Sequence, residues 1–111
     1  MIWKFITFLV RKLEPEIAHQ ISLIALKLGF HPRLKRIEIP VKINNLHFTN
    51  FLGVAAGFDK NAQIIERIHY LNFGLTEVGT ITPLPQYGNP KPRVFRLEKD
   101  KAIINRNGFN N

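Results

Sequence analysis

Lys60 ends the run Val54-Ala55-Ala56-Gly57-Phe58-Asp59-Lys60, where an apolar, Gly/Ala-rich strand end opens onto a cation and then a helix. Small side chains let a flat ligand lie against the backbone, and an ammonium beside it stabilises developing negative charge. Two later segments also end a strand in small polar residues: Glu77-Val78-Gly79-Thr80 and Ile104-Asn105-Arg106-Asn107-Gly108-Phe109-Asn110. Together the three read as one rim of an α/β barrel. Spacing alone leaves Lys60 open to a plainer reading, a solvated lysine at a helix start. Thr80 by itself could simply end a strand.

The elements that must position these residues are legible from periodicity. Residues 1–13 read as a helix: Ile2, Phe5, Ile6, Leu9 and Leu13 follow helical spacing, and Trp3, Phe8 and Val10 widen the apolar surface beyond one face. Pro15 suits the first turn of a second helix over 15–28, with Glu14 and Glu16 at its positive end and Gly29 as its stop. Ile17, Ile21, Ile24, Ala25 and Leu28 line one side of it, and His19, Leu23 and Leu26 another. Helices apolar on more than one face cannot both be satisfied by packing on each other. Either both faces are buried in a larger core, or the pair is a hairpin that meets a membrane or admits an apolar ligand between its arms.

A basic connector from His31 through Arg33 to Pro40 follows. Val41-Lys42-Ile43 and Leu46-His47-Phe48 alternate around Asn44-Asn45, which predicts a β-hairpin. The apolar run 52–56 predicts a strand buried on both faces. Residues 61–71 predict a helix with Ile64, Ile65, Ile68 and Leu71 inward, stopped by a left-handed Asn72. Residues 75–79 give the next strand, so 52–79 reads as one β/α unit of a parallel sheet. The proline-studded stretch 83–92 is a long ordered loop, and 94–97 pairs with 102–104 across Glu98-Lys99-Asp100-Lys101.

Composition sets the outer bounds. A chain of 111 residues, 45% apolar and 22% charged, can build a core and is not compositionally disordered. It holds no cysteine, which excludes disulfides and thiolate metal sites within it, and no metal site is expected. The formal charge of +8 suits an ordinary basic proteome or an anionic partner. In residues 1–40, Lys4, Arg11, Lys12, Lys27, Arg33, Lys35 and Arg36 outnumber Glu14, Glu16 and Glu38, and they flank apolar helices instead of aromatic stacking platforms. Lipid is therefore favoured over nucleic acid. The start carries no convincing signal peptide, and no apolar run approaches the ~20 residues that span a bilayer. The expectation is a chain that lies on a membrane without crossing it.

Four segments carry a resemblance: Ala55-Ala56-Gly57-Phe58-Asp59-Lys60, Glu77-Val78-Gly79-Thr80-Ile81-Thr82-Pro83, Pro92-Arg93-Val94-Phe95-Arg96-Leu97 and Ile104-Asn105-Arg106-Asn107-Gly108-Phe109-Asn110-Asn111. In sequence and order they resemble dihydroorotate dehydrogenases, over essentially the whole chain. Leu13-Glu14-Pro15-Glu16-Ile17-Ala18-His19 resembles the signature of the class 2, membrane-associated, quinone-using branch.

The resemblance implies the N-terminal part of an (α/β)8 TIM barrel, preceded by a two-helix membrane-associating hairpin. Residues 1–40 would be the hairpin and connector, and 41–111 the start of an FMN-binding barrel. It implies oxidation of dihydroorotate to orotate, in pyrimidine synthesis, through FMN with ubiquinone as acceptor. Ala56, Gly57, Phe58, Asp59, Lys60 and Thr80 would belong to the FMN site. Lys60 would also reach the substrate carboxylate, and Asn105, Arg106, Asn107, Gly108 and Phe109 would hold orotate. Asn105 offers donor and acceptor to a pyrimidine edge. His19 and Arg96 resemble residues of a quinone tunnel, although a satisfied helix histidine and a salt-bridge arginine are the plainer readings. The implied location is the cytoplasmic side of the cell membrane, peripherally, or the inner mitochondrial membrane in a eukaryote.

The chain departs from the family pattern at Phe51, where proline is usual, at Asn72, where glycine is usual, and at Glu14, where aspartate is usual. The larger departure is length. A barrel of this kind needs ~250 residues, and the family's catalytic base, a serine in this branch, falls beyond Asn111. The expectation is a truncated or split product, inactive alone. It could also act as a flavoprotein completed by a second chain carrying the rest of the barrel. The competing reading is a non-enzymatic piece whose basic amphipathic helices only bind lipid.

Overall fold

The computed structural model describes residues 2–32 and 34–111. Met1 and Arg33, the latter counted in the basic connector, lie outside the described residues. The chain groups into two compact units, one from the described residues of Met1–Ser22 with Thr80–Asn111, the other Leu23–Gly79.

The chain opens with helix α1 (Ile2–Val10), shorter than the predicted 1–13, with residues 11–13 in turn and bend. Helix α2 (Pro15–Lys27) matches its prediction to within a residue. Glu14 caps it: Oε2 accepts the Ile17 N–H at 3.0 Å, satisfying one of the donors a helix start leaves open. At the other end Gly29 adopts φ +85°. Its N–H donates to the Leu26 carbonyl and the Phe30 N–H to the Ala25 carbonyl, the paired closure that a left-handed residue after a helix permits.

Within Leu23–Gly79, β1 (Val41–Ile43) and β2 (Leu46–Phe48) form the predicted antiparallel hairpin, with Ile43 opposite Leu46 and Asn44 at φ 52° in the turn. Strands β3 (Gly53–Val54) and β4 (Leu75–Thr76) pair in parallel, as a β/α unit requires. The ladder is prolonged by Gly74 N–H to the Leu52 carbonyl and Glu77 N–H to the Val54 carbonyl, both 2.9 Å. The crossover holds α3 (Ile65–Ile68) and a 3-10 turn (His69–Leu71), stopped by Asn72 at φ 62°, ψ 28°.

Two expectations fail in this unit. The helix starts at Ile65, not 61, because Ala62 takes φ 57° and because Asp59 captures the N–H groups of Gln63 and Ile64. Ile65 then faces solvent at 45% exposure while Ile64 is buried at 1%. The strand over 52–56 is not buried on both faces: Leu52 is 52% exposed and only Val54 is half-buried. One side of the pair is covered by a small core of Leu26, Ile64 and Ile68 with Leu23, Val54, Phe58, Leu71 and Phe73.

In the other unit, β5 (Val94–Leu97) pairs antiparallel with β6 (Ala102–Asn105), Val94 opposite Asn105, across a turn with Lys101 at φ 50°. The loop 83–93 precedes β5 without regular structure, as its prolines require. No residue of α1 is buried. Along α2 the face bearing Ile17, Ile21, Ile24 and Leu28 is also exposed. Within the described residues these two helix faces are not buried.

Candidate functional site

The strand end after β3 becomes a turn because Gly57 can take φ 102°. Its N–H donates to the Gly79 carbonyl at 2.8 Å, and the Gly79 N–H reaches back to the Asp59 carbonyl at 3.4 Å. The two strand ends of the parallel pair are thus tied together by backbone alone. A Cβ placed on Gly57 would meet nothing within 4 Å, so the surface beside this turn is open. Ala55 and Ala56 are exposed, and Lys60 is half-buried at the end of the same turn. Phe58 packs on the apolar core.

Asp59 shapes this turn from beneath. Its side chain is fully buried, and Oδ1 and Oδ2 accept the N–H groups of Gln63 and Ile64, each at 2.8 Å. Charge-assisted bonds to backbone N–H are the strong kind, and both carboxylate oxygens are used in them. Asn50, 4% exposed, plays the equivalent part below. Its Oδ1 accepts the Leu52 and Gly74 N–H groups and its Nδ2 donates to the Asn72 carbonyl.

The asparagine-rich segment after β6 is held by the proline loop. Asn89 donates its N–H to the Asn107 carbonyl at 3.0 Å and its Nδ2 to the Arg106 carbonyl at 2.8 Å. Gln86 and Asn111 exchange N–H···O bonds in both directions, and Asn111 Nδ2 donates to the Thr80 carbonyl at 2.7 Å. Gly88 (φ +72°) and Gly108 (φ +73°) sit where the two segments touch, and a Cβ on Gly88 would collide with the Asn107 carbonyl. Asn105 and Phe109 are exposed and Asn107 is half-buried. Arg106 turns its guanidinium onto the Pro92 carbonyl, at 3.2 and 3.0 Å, and over the Phe95 ring.

His19 is half-buried on α2. Arg96 donates through one terminal nitrogen to the carbonyls of Arg11 and Leu13, at 3.0 and 2.7 Å, just past the end of α1. It also lines an open hollow of about 520 Å³ with Arg11, Leu97, Glu98, Lys101, Ala102 and Ile103. The plainer salt-bridge role for Arg96 is not what it does here: it closes the chain beyond a helix end. Among the described residues no group of three or more His, Asp or Glu is placed to hold a metal ion.

The sequence model of the family described as dihydroorotate dehydrogenase matches residues 38–111, which takes in both strand-end turns and the asparagine segment. The chain belongs to the dihydroorotate dehydrogenase family. It is 54% identical over 101 residues to a dihydroorotate dehydrogenase (quinone) of Bartonella tribocorum, covering 89% of this chain and 28% of that protein. The corresponding protein of Erythrobacter litoralis is 49% identical over 113 residues, covering 100% of this chain and 33% of its own length. The crystal structure of the Eimeria tenella dihydroorotate dehydrogenase in complex with ferulenol superposes with a TM-score of 0.80 at 49% identity, covering 86% of this chain and 26% of that one. The chain thus spans about a third or less of the length of the relatives it matches, and its α/β structure corresponds to that share of a dihydroorotate dehydrogenase.

In this family member, three buried polar residues escaped the sequence reading as organisers: Asn50, Asp59 and Arg93. Asp59, expected in the FMN site, directs its carboxylate into the backbone of its own turn. Arg93, quoted within a motif but given no task, is 8% exposed and bonded on every side. The available signal was type and place, a charged or amide side chain beside a strand end.

Proposed function

We propose that this chain supplies the N-terminal part of a quinone-linked dihydroorotate dehydrogenase that oxidises dihydroorotate to orotate for pyrimidine synthesis. Residues 1–40 form a membrane-facing helical hairpin with its connector. Residues 41–111 begin an (α/β)8 barrel that binds FMN. The observation that carries this reading is the strand-end turn, where Gly57 leaves open surface between Ala56 and the half-buried Lys60.

The residues present fit such a cofactor. Exposed Ala56 and a glycine with open space at its Cβ position admit a flat ring, and backbone groups at the turn are already fixed. FMN, when bound, supplies the hydride acceptor. Lys60 holds positive charge where the reaction accumulates negative charge, and it also receives the substrate carboxylate. Thr80 offers its hydroxyl to the cofactor. Asn105 and Asn107 orient the pyrimidine edge, with Gly108 and Phe109 shaping the loop and Arg106 bracing it. His19 and Arg96 border the path of a quinone such as ubiquinone.

The exposed apolar faces of α1 and α2 support a peripheral site on the cytoplasmic side of the membrane, and no described helix is long and apolar enough to cross one. The activity proposed is that of the whole enzyme, of which this chain corresponds to about a third or less. Activity requires the remaining barrel, in cis or from a second chain.

The test mixes the purified chain with a polypeptide carrying the remaining two-thirds of the Bartonella tribocorum relative. Bound FMN and dihydroorotate-dependent reduction of a quinone analogue are then measured. A yellow, active mixture is expected, with Lys60→Ala lowering turnover about 100-fold or more. A colourless mixture, or activity indifferent to Lys60, would count against the reading. The lipid-binding alternative, favoured only by the exposed helix faces, predicts liposome binding and no flavin under any of these conditions.

A further inference from the structure

Arg93 joins α2, the proline loop and the asparagine segment through one residue, and Lys91, 3.7 Å from Glu16, adds a longer contact between the loop and α2. Its guanidinium donates through Nε and one terminal nitrogen to Glu16 Oε1, at 3.0 and 2.8 Å. The other terminal nitrogen donates to the Tyr87 carbonyl and, at 3.1 Å, to the Asn89 carbonyl. Its own carbonyl accepts the Arg106 N–H at 2.8 Å. Asn89 then carries the link to the Arg106 and Asn107 carbonyls, and Gly88 lets the two backbones approach. A guanidinium this buried is tolerated because its donors are matched to a carboxylate and to carbonyls.

From this geometry we infer that Arg93 is a positioning residue: it holds the asparagine segment 105–111 in register with the first turn of α2, through Glu16 on one side and Asn89 on the other. The inference rests on the proposed reading that this segment holds the substrate. It deepens that reading by coupling the substrate segment to the helix whose exposed face meets the membrane. Two features separate this from general stabilisation. Arg93 contacts its partners through discrete, directional bonds, and it meets Arg106 by two routes: its carbonyl accepts the Arg106 N–H directly, and its side chain holds the carbonyl of Asn89, the residue that bonds the Arg106 and Asn107 carbonyls.

The test measures amide hydrogen exchange in the 111-residue chain for wild type, Glu16→Gln, Arg93→Lys and the double variant. Arg93→Lys keeps the charge and loses the fork, so the amides of Asn89 and Arg106 should exchange about tenfold faster or more. Glu16→Gln should speed the same amides by about threefold or more. The double variant should be no worse than Arg93→Lys alone, as expected of groups acting in series. The Gly57 and Gln63 amides, in the other unit, should not change. Should Arg93→Lys fail to fold, Glu16→Gln alone decides.

A change of less than twofold at Asn89 and Arg106 in Glu16→Gln, or effects that add independently, would overturn the coupling. In the mixture completed by the second polypeptide, both variants should weaken orotate binding while FMN occupancy stays level. Orotate binding that is unmoved would overturn the positioning role. A wild-type mixture that binds no orotate would instead sink the proposed function and leave the exchange data to judge the link.

Discussion

Asp59→Asn is the sharpest probe of how the strand-end turn is built. In the wild type both carboxylate oxygens accept backbone N–H groups at 2.8 Å in a site with no solvent exposure. Asparagine keeps the shape and one acceptor but turns an NH2 toward the second N–H, leaving two donors facing each other. Bonds to a charged group contribute about 1.5–3 kcal/mol, and a buried unsatisfied donor costs about 1–3 kcal/mol. The variant should therefore lose about 2–4 kcal/mol. Against the roughly 5–15 kcal/mol of a small domain this is a large fraction. With a urea slope near ~2 kcal/mol per M, the unfolding midpoint should fall by about 1–2 M. Gln63→Ala is the control, since Gln63 contributes only its N–H, and it should stay within about 0.5 kcal/mol. Urea unfolding followed by circular dichroism reads both. A midpoint for Asp59→Asn indistinguishable from that of the control would refute the claim that these two bonds set the turn.

Other predictions concern the surrounding supports. Asn72 sits at φ 62° with Oδ1 accepting the Ile37 N–H and Nδ2 donating to the Lys35 carbonyl. Asn72→Gly should cost only those bonds, about 1 kcal/mol, while Asn72→Ala adds about 1–2 kcal/mol for a left-handed alanine, so thermal melts should rank Ala below Gly. Glu16 is pushed up by burial, the largest single influence, but the hydrogen bond and charge of Arg93, with Lys91 at 3.7 Å, bring it below its usual 4.5. Its contribution to stability is therefore present above about pH 4.5 and lost as pH falls through the lower, folded value, so Glu16→Gln should flatten the acid limb of a stability profile. Replacing Phe5 and Ile6, 61% and 38% exposed, by glutamate should cut co-sedimentation with anionic liposomes about tenfold without moving the melting temperature; equal binding would remove α1 from the membrane surface.

Which features were legible in advance follows from how far their causes reach along the chain. The ends of α2 are announced by Pro15 and by Gly29, whose roles are settled within a few residues. The hairpin around Asn44 and the stop at Asn72 are local in the same way. The start of α3 falls later than the periodicity predicts because Ala62 takes φ 57°, which a right-handed helix beginning at 61 cannot contain, and the Asp59 carboxylate then caps the N–H groups of Gln63 and Ile64. Burial of 52–56 was misread because an apolar run reports what a strand can cover, not what covers it. Arg93 was least legible of all, for its carboxylate partner is 77 positions away.

Among the described residues, the buried polar side chains, Asn50, Asp59 and Arg93, all bond to backbone groups in turns. This has a physical cause. Helices and ladders satisfy their own N–H and C=O groups, but a turn that reverses beside a strand end leaves several without partners. A side chain must reach in and supply them. The turns served in this way are the one bearing Gly57 and Lys60, the turn at Asn72 to Gly74, and the proline loop at Tyr87 and Asn89 that in turn bonds the segment from Asn105. Their geometry therefore depends on a few polar groups set behind them more than on the apolar core, which among the described residues centres on Leu26, Ile64 and Ile68. Trimming that core by one methyl, as in Ile64→Val, should cost about 0.5–1.5 kcal/mol, less than losing one oxygen of Asp59. Substitutions that do most harm to ligand binding should then cluster one layer behind the residues that touch the ligand.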